Sequence, residues 1–529
     1  MTTITPARST HEVANQAPPL PEMNLYEADL ALQEALEREH GGWGAGRARQ
    51  LGQLAGSQQA RDHARRAEIN EPRLHTHDPC GQRIDQVECD PSWHWLLATG
   101  AEHEIASLPW RNPQPGAHVV RAALGYLWGQ LSTGVMCPLI MTFAAVPVLR
   151  KYGSLAGREL AERLTTPDYH TGALAGQAYT EKQAGSDLRQ TTTRAVQLAD
   201  GSFELWGHKW FVSAPMCDAF LTLAQTDQGL SCFLVQRQEG FEIVRLKDKL
   251  GTRALPTAEV EFRGLPARLI GEEGRGLAPV MENISHARLG PAVAPEMRTA
   301  VVRAIHHARH RRAFGTTLDQ APAMRNVLAD LAIDSEAATA TVLRLARSWE
   351  NGEPFARLAI AVNEYAGCGR VTAHVAEALQ CLGGNGYSEP SGLPQLLRDA
   401  AVHPIWEGAG NVVALDVLRV MATEPGAVAE FTGECELARG GDHNLDHHLD
   451  RLKTTLTALA SASDPQFLAR RAAEDLALAF QASLLVRHAP SFVADAYCAG
   501  RLSQDRSHGY GTLPASADAR AIIERALPA

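Results

Sequence analysis

The spacing of apolar residues changes twice along this chain of 529 residues. From residue 25 to about 170, Leu30, Leu32 and Leu36, and later Ala122, Leu124, Leu127 and Leu131, recur at mostly helical intervals, which predicts an α-helical first domain over residues 1–170. Its first 24 residues are polar and carry Pro18-Pro19-Leu20-Pro21, so they predict an extended arm ahead of a helix over 25–36. The apolar run 135–149 is broken by Pro138 and Pro147 and predicts a buried core helix with a bend. No stretch reaches the roughly 20 uninterrupted apolar residues of a membrane span, so no membrane insertion is expected.

From Gly172 the period shortens. Phe203/Leu205, Leu221/Leu223, Phe233/Val235, Phe241/Ile243 and Ala258/Val260/Phe262 alternate between turn signals such as Asp200-Gly201 and Glu239-Gly240, which predicts an antiparallel β domain over 171–276. Helical spacing resumes after Gly271-Glu272-Glu273-Gly274-Arg275-Gly276 and runs to Pro425-Gly426, predicting a helical bundle over 277–425. Residues 426–529 are Ala-rich and Leu-rich with a break at Gly440-Gly441, and predict an additional helical domain. The expected fold is mostly α with one inserted, barrel-like antiparallel β domain.

A net charge of -10 gives no global attraction to nucleic acid or to an anionic membrane. The nine cysteines are scattered without a C-x-x-C pair, which fits reduced thiols in a cytoplasm and no structural zinc. The start of the chain lacks an apolar segment of the secretory kind. His443, His447 and His448 alternate with Asp442, Asp446 and Asp450 as on a solvated helix face, so no metal is expected. Residues 297–318 hold five arginines with His306, His307 and His310 and no acidic residue, a stripe suited to pyrophosphate or to DNA phosphates.

Three segments carry candidate chemistry. Trp406-Glu407-Gly408-Ala409-Gly410-Asn411 follows Arg398-Asp399 and opens an apolar helix. A carboxylate between Trp and Gly can be partly desolvated, which raises its pKa toward the range useful for proton abstraction. Glu407 is the candidate general base, the alternative being an acidic residue in a first helical turn stabilised by the helix dipole. Tyr179-Thr180-Glu181-Lys182-Gln183-Ala184-Gly185-Ser186-Asp187-Leu188 lies at the helical-to-β switch, where Gly185 and Ser186 offer amides and a hydroxyl to an anion or carbonyl, or form a plain turn. Lys209-Trp210-Phe211-Val212-Ser213-Ala214 is either a plain strand or a wall over a planar ring, with Ser213 hydrogen-bonding to it.

Together these segments resemble the acyl-CoA dehydrogenase superfamily and, more narrowly, its DNA alkylation response (AidB-like) branch. Thr180-Glu181-x-x-Ala184-Gly185-Ser186-Asp187 resembles the flavin loop, and Gly207-His208-Lys209 with Phe211-Val212-Ser213 the segment whose hydroxyl touches flavin N5. Gly271 to Gly276 resembles the exit from the β domain, Arg311-x-x-Phe314-Gly315 the arginine turn that reaches the FAD of a neighbouring subunit, and Gln380-x-x-Gly383-Gly384-x-Gly386-Tyr387 the loop against its ADP moiety. Trp406-Glu407-Gly408 matches the aromatic-Glu-Gly that carries the base. The narrower likeness extends through Asn15-Gln16-x-Pro18-x-Leu20, Thr142-Phe143-Ala144-Ala145 and Leu246-Lys247-Asp248-Lys249-Leu250-Gly251.

The resemblance implies an FAD-containing homotetramer that dehydrogenates an acyl-CoA or a similar small carbonyl compound. It places Tyr179, Thr180, Gly185, Ser186, Phe211, Val212, Ser213, Arg311, Phe314, Gln380, Gly383, Gly384, Trp406, Gly408 and Asn411 against the cofactor, and Ser186, Ser213 and Arg288 against substrate. Arg288 has a helix-surface position as its alternative. Lys182-Gln183, Phe211 and Trp406 depart from the usual Pro-Gly, Trp and Tyr, and the bulkier indole beside the base implies a short or branched acyl group. The position that holds the base in the isovaleryl-CoA branch corresponds to Ala287, which leaves Glu407 without a competitor. The narrower branch also implies a flavoprotein that associates with double-stranded DNA and protects it from alkylation.

Overall fold

The computed structural model describes residues 13–290, 293–505, 507 and 509–528. The secretory-signal reading and the start of the arm fall on residues 1–12, outside this set.

The first helix is Leu30–Arg38, and residues 25–28 form a turn ahead of it. The delay follows from Asp29, which caps the helix through Leu32 N and also takes the Tyr126 hydroxyl (2.8 Å) and the Arg298 guanidinium (3.0 Å). Thr133–Tyr152 runs as one helix through both prolines. It is the one helix among the described residues long and apolar enough to cross a membrane by length and composition, and most of it is buried within the protein.

The first block is not wholly helical. Arg73–His77 and Arg83–Glu88 form an antiparallel hairpin, held to the β domain where Arg83 donates to the Ile243 carbonyl (2.8 Å) and Asp85 accepts from Ile243 N (2.9 Å). Its strands are mostly exposed and carry little apolar signal.

The β domain has seven strands. Ala219–Thr226, Gly229–Gln236, Thr257–Ile270, Phe203–Ser213 and Arg194–Gln197 pair in that order, and Arg194 then meets Gln225, which closes the ring around Leu205, Phe220, Phe233, Val260 and Phe262. Phe241–Leu246 adds to the long strand Thr257–Ile270. The expectation of purely antiparallel pairing is corrected at two places: Ala175–Ala178 runs parallel to Ala219–Thr226, and so does the Arg194 contact. The chain between Ala175–Ala178 and Ala219–Thr226 passes through Arg194–Gln197 and Phe203–Ser213, and so long a connection, unlike a tight hairpin, can bring the two strands together in parallel.

Helices Leu277–Ala287, Ala294–His310, Pro322–Glu350, Ala356–Cys381 and Gly410–Thr423 build the bundle. Ala469–His488 packs on the last three of these, so Leu476 and Phe480 share one apolar core with Phe355 and Phe431.

The bundle also dismantles the expected arginine stripe. Arg298 is buried against Asp29, Arg303 donates to the Ser391 carbonyl (2.9 Å), and Arg309 pairs with Glu524 (3.2 Å). Helix Ala294–His310 is packed on several sides, and its period turns Arg298 and Arg303 inward, leaving Arg311 and Arg312 beyond its end.

Candidate functional site

Glu407 lies ahead of the helix that starts at Gly410, rather than in its first turn, and has a left-handed backbone (φ 51°). That conformation disfavours a residue of this size and persists where neighbours fix it. Arg288 fixes it: its Nε (3.1 Å) and Nη2 both donate to the Glu407 carbonyl. Gly408 (φ 120°) makes the approach possible, because a Cβ there would stand 2.9 Å from Arg288 Nη2. Arg288 Nη1 reaches Asp416 (3.1 Å), which also takes Arg357 (2.9 Å) and Arg419 (2.7 Å). Arg288 is therefore buried and engaged with protein, neither on a helix surface nor presented as a free group for substrate.

The Glu407 side chain is half-buried. Burial, helped by the Glu364 carboxyl and opposed by Arg288, pushes its pKa up to about 7. Trp406 packs edge-on against His403 (ring centroids 5.3 Å), and His403 is itself buried against Glu296 (2.9 Å). His403, Glu296, Glu364 and Asp416 were not singled out from the sequence. The available signal was a lone acidic residue inside apolar helical runs, at Glu296 and Glu364.

Tyr179 and Cys137 both lie within reach of the Glu407 charge, and Ser213 adjoins Cys137. Burial, reinforced by the Glu407 charge, pushes the Cys137 thiol up to about 12, and Ser213 hydrogen-bonds to it. Burial, with the Cys232 and Glu407 charges adding to it, also raises Tyr179, whose hydroxyl donates to Asn283 Oδ1 (2.9 Å). The strand Phe203–Ser213 slips register between Lys209 and Val212, and this bulge turns Trp210 and Phe211 outward. Lys247 covers the Trp210 ring (3.3 Å), Phe211 remains half-exposed, and the Val212 side chain faces the barrel core.

The loop after Tyr179 is held from beneath. Glu181 is fully buried, pairs with Lys209 (2.8 Å), and accepts from the amides of Thr192 (2.7 Å) and Thr193 (3.2 Å). Burial alone would raise its pKa, but the Lys209 ammonium and these hydrogen bonds outweigh it and hold the carboxyl at about 2. Thr180 accepts from Trp210 N (2.8 Å) through its carbonyl. Gly185 and Ser186 are exposed above this anchor, and among the described residues their amides find no acceptor.

Arg311, Phe314, Gln380, Gly383 and Gly384 form a second group. Arg311 caps helix Ala294–His310, and Phe314 stands fully exposed in the tight hairpin of Arg312–Ala313 and Thr316–Thr317. Gln380, Gly383 and Gly384 are exposed at the end of helix Ala356–Cys381. A Cβ at Gly383 or Gly384 would meet nothing in this chain, whereas one at Gly386 would sit 2.1 Å from the Leu379 carbonyl. Asn411 Oδ1, expected against the cofactor, accepts from Arg470 (2.7 Å) of helix Ala469–His488. Of the three histidines near 445, His448 turns inward to the Asp475 carbonyl (2.8 Å).

The chain is similar to known proteins over most of its length. Residues 15–171 match the adaptive response protein AidB N-terminal domain, 176–265 the acyl-CoA dehydrogenase middle domain and 274–422 the acyl-CoA dehydrogenase C-terminal domain. AidB of Escherichia coli (strain K12) is 38% identical over 512 residues, spanning 92% of this chain and 94% of that protein. Acyl-CoA dehydrogenase family member 11 of Caenorhabditis elegans is 32% identical, spanning 80% of this chain and 77% of that protein. The crystal structure of Caenorhabditis elegans ACDH-11 in complex with C11-CoA superposes with a TM-score of 0.85 and 28% identity, over 99% of this chain and 94% of that one.

Proposed function

We propose that this chain, which belongs to the acyl-CoA dehydrogenase family and is an FAD-dependent oxidoreductase of that type, uses Glu407 to remove the proton α to the thioester of a short or branched acyl-CoA. One observation carries the reading: a half-buried carboxylate with its pKa near 7, in a left-handed turn that Arg288 clamps through the main chain. The clamp acts through the main-chain carbonyl and does not occupy the carboxylate. A base with that pKa is largely ionised just above neutrality and still attracts a proton strongly.

Bound FAD supplies the acceptor for the β-hydride. The residues present suit it, because the open Gly185 and Ser186 amides and the Ser186 and Ser213 hydroxyls are donors of the kind an acceptor-rich ring edge needs. Phe211 supplies an exposed aromatic flank, and Glu181 with Lys209 keeps the donor loop in place. Trp406 narrows the flank of the base, which favours short or branched acyl groups. That C11-CoA occupies a structure so similar over its whole length supports a CoA thioester as substrate, and leaves the short or branched chain length to rest on Trp406 alone.

Arg311, Phe314, Gly383 and Gly384 serve the FAD of a neighbouring subunit in a homotetramer, which accounts for an exposed Phe314 and for two glycines that border open space. The nine free cysteines suit a cytoplasmic setting. Of the five arginines of residues 297–318, Arg298, Arg303 and Arg309 bond within the chain, which leaves Arg311 and Arg312 for a duplex-DNA role.

The direct test is anaerobic bleaching of the flavin absorbance with acyl-CoAs of graded length. Bleaching by short or branched thioesters is expected, and none by any member of the panel would overturn the reading. The pKa of Glu407 also sets a pH profile: kcat/KM should climb about tenfold per pH unit below neutrality and level off above pH of about 7, because only the carboxylate form accepts the proton. A profile flat from pH 5 to 8 would remove Glu407 from that role. Arg311→Ala should lower FAD retention and tetramer content together, since a ligand bound across an interface stabilises only the assembled state. Gel filtration with the ratio of flavin to protein absorbance reads both.

A further inference from the structure

The arm of residues 13–24 contains no helix or strand, yet it is pinned along its length. Asn15 adopts a left-handed backbone (φ 54°), which its short polar side chain tolerates better than most. Its amide acts as a substitute peptide group: Nδ2 donates to the Arg312 carbonyl (2.8 Å), and Oδ1 accepts from Arg312 N (2.8 Å). The Asn15 carbonyl meanwhile accepts from Arg311 Nη1. One residue later, Gln16 Oε1 accepts from Asn385 Nδ2 (3.0 Å), inside the glycine loop. Further on, the Pro18 carbonyl meets His306 Nε2 (2.8 Å), and the Leu20 and Pro21 carbonyls take Arg61 (3.2 Å each).

Two adjacent arm residues thus tie together the arginine turn and the glycine loop, which leave the bundle at the ends of different helices. We infer that Asn15 and Gln16 are positioning residues for the cofactor: they fix the Arg311 guanidinium and the Gly383–Gly386 loop in one register, so that the face offered to a neighbour's FAD is preformed. The inference rests on the reading that Arg311 and this loop serve that FAD. An exposed arginine has many rotamers and loses them on binding; a side chain ordered beforehand loses fewer, and the complex is tighter for it. The bond to Asn15 uses one guanidinium donor and leaves the others for a pyrophosphate.

The test measures FAD dissociation by the fluorescence of released flavin in four proteins: wild type, Asn15→Gly, Arg311→Ala and the double variant. Glycine keeps the left-handed backbone and the carbonyl, and removes only the amide pair to Arg312. Asn15→Gly should weaken FAD binding about tenfold, the effect of losing two exposed hydrogen bonds. In the Arg311→Ala background the same change should cost less than about twofold, because the group it positions is gone. An equal loss in both backgrounds would make the arm a general structural support and overturn the inference. So would no loss in Asn15→Gly while Arg311→Ala is impaired. If Arg311→Ala itself binds FAD as wild type does, the reading of Arg311 fails first and the inference falls with it. Should Asn15→Gly not fold by circular dichroism, Gln16→Ala replaces it. That variant removes the single bond to Asn385 and should weaken FAD binding severalfold at unchanged melting temperature, and unchanged binding would overturn the inference.

Discussion

Glu407→Gln should retain its flavin and lose roughly 10²–10⁴-fold in dehydrogenation rate, the range expected when a positioned base is removed. The turn should survive the change. Arg288 holds residue 407 by its main-chain carbonyl, which glutamine keeps, and Gly408 still admits the guanidinium. Glutamine also matches the shape of a protonated glutamate, the form that dominates below the pKa of about 7. The variant therefore isolates the proton-accepting function from the fold. Single-turnover bleaching by a reactive acyl-CoA, with the flavin absorbance as a check on occupancy, measures it. A rate within threefold of wild type would assign the carboxylate a structural role.

Lys209→Met should be the most damaging single change to stability, by about 3–5 kcal/mol, because removing one partner of a buried pair strands the other charge. Lys209 and Glu181 are both fully inaccessible, and the ammonium also donates to the Leu223 carbonyl (2.8 Å). Without it, Glu181 keeps only the Thr192, Thr193 and Gln183 hydrogen bonds, and its carboxyl must either take up a proton or draw in water. Either response loosens the loop that presents Gly185 and Ser186. The variant should thus shed flavin as well as stability. Denaturant melts of wild type, Lys209→Met and Lys209→Met with Glu181→Gln give the comparison, and the double variant should recover part of the loss. A single-variant effect below about 1 kcal/mol would mean that the pair contributes little net stability.

What the sequence made legible was local. The alternation of Phe203 with Leu205, and of Ala258, Val260 and Phe262, located strands because one barrel face is buried. The turn at Glu407 was visible from its glycines, and the exposed turn at Gly185 and Ser186 from its small residues. What stayed hidden depended on partners distant in sequence. Arg288 was read as a group for substrate or as a helix-surface arginine, but its partner is the main chain of residue 407, which no side-chain pattern announces. The arginine stripe looked continuous because helical residues 297–310 contain no acid; its countercharges come from Asp29 and Glu524. The hairpin 73–88 was missed because its strands are mostly exposed and polar, and what fixes it is Ile243 in another domain. Parallel pairing of Ala175–Ala178 was invisible for the same reason, since pairing direction is set by the route of the chain between strands.

Helix Leu30–Arg38 packs on Pro322–Glu350 and on Ala519–Ala526, and Arg525 grips Glu34 and Glu336 at once. Glu34 and Arg525 are 491 residues apart. At about 5–20 residues per second, a ribosome needs roughly 25–100 s to bridge that interval. For all of that time helix Leu30–Arg38 has an incomplete set of neighbours. The protein therefore cannot close its core in the order in which it is made. Helix Leu30–Arg38 must wait for its carboxyl-terminal partner, and during that interval it is a natural target for a holding chaperone.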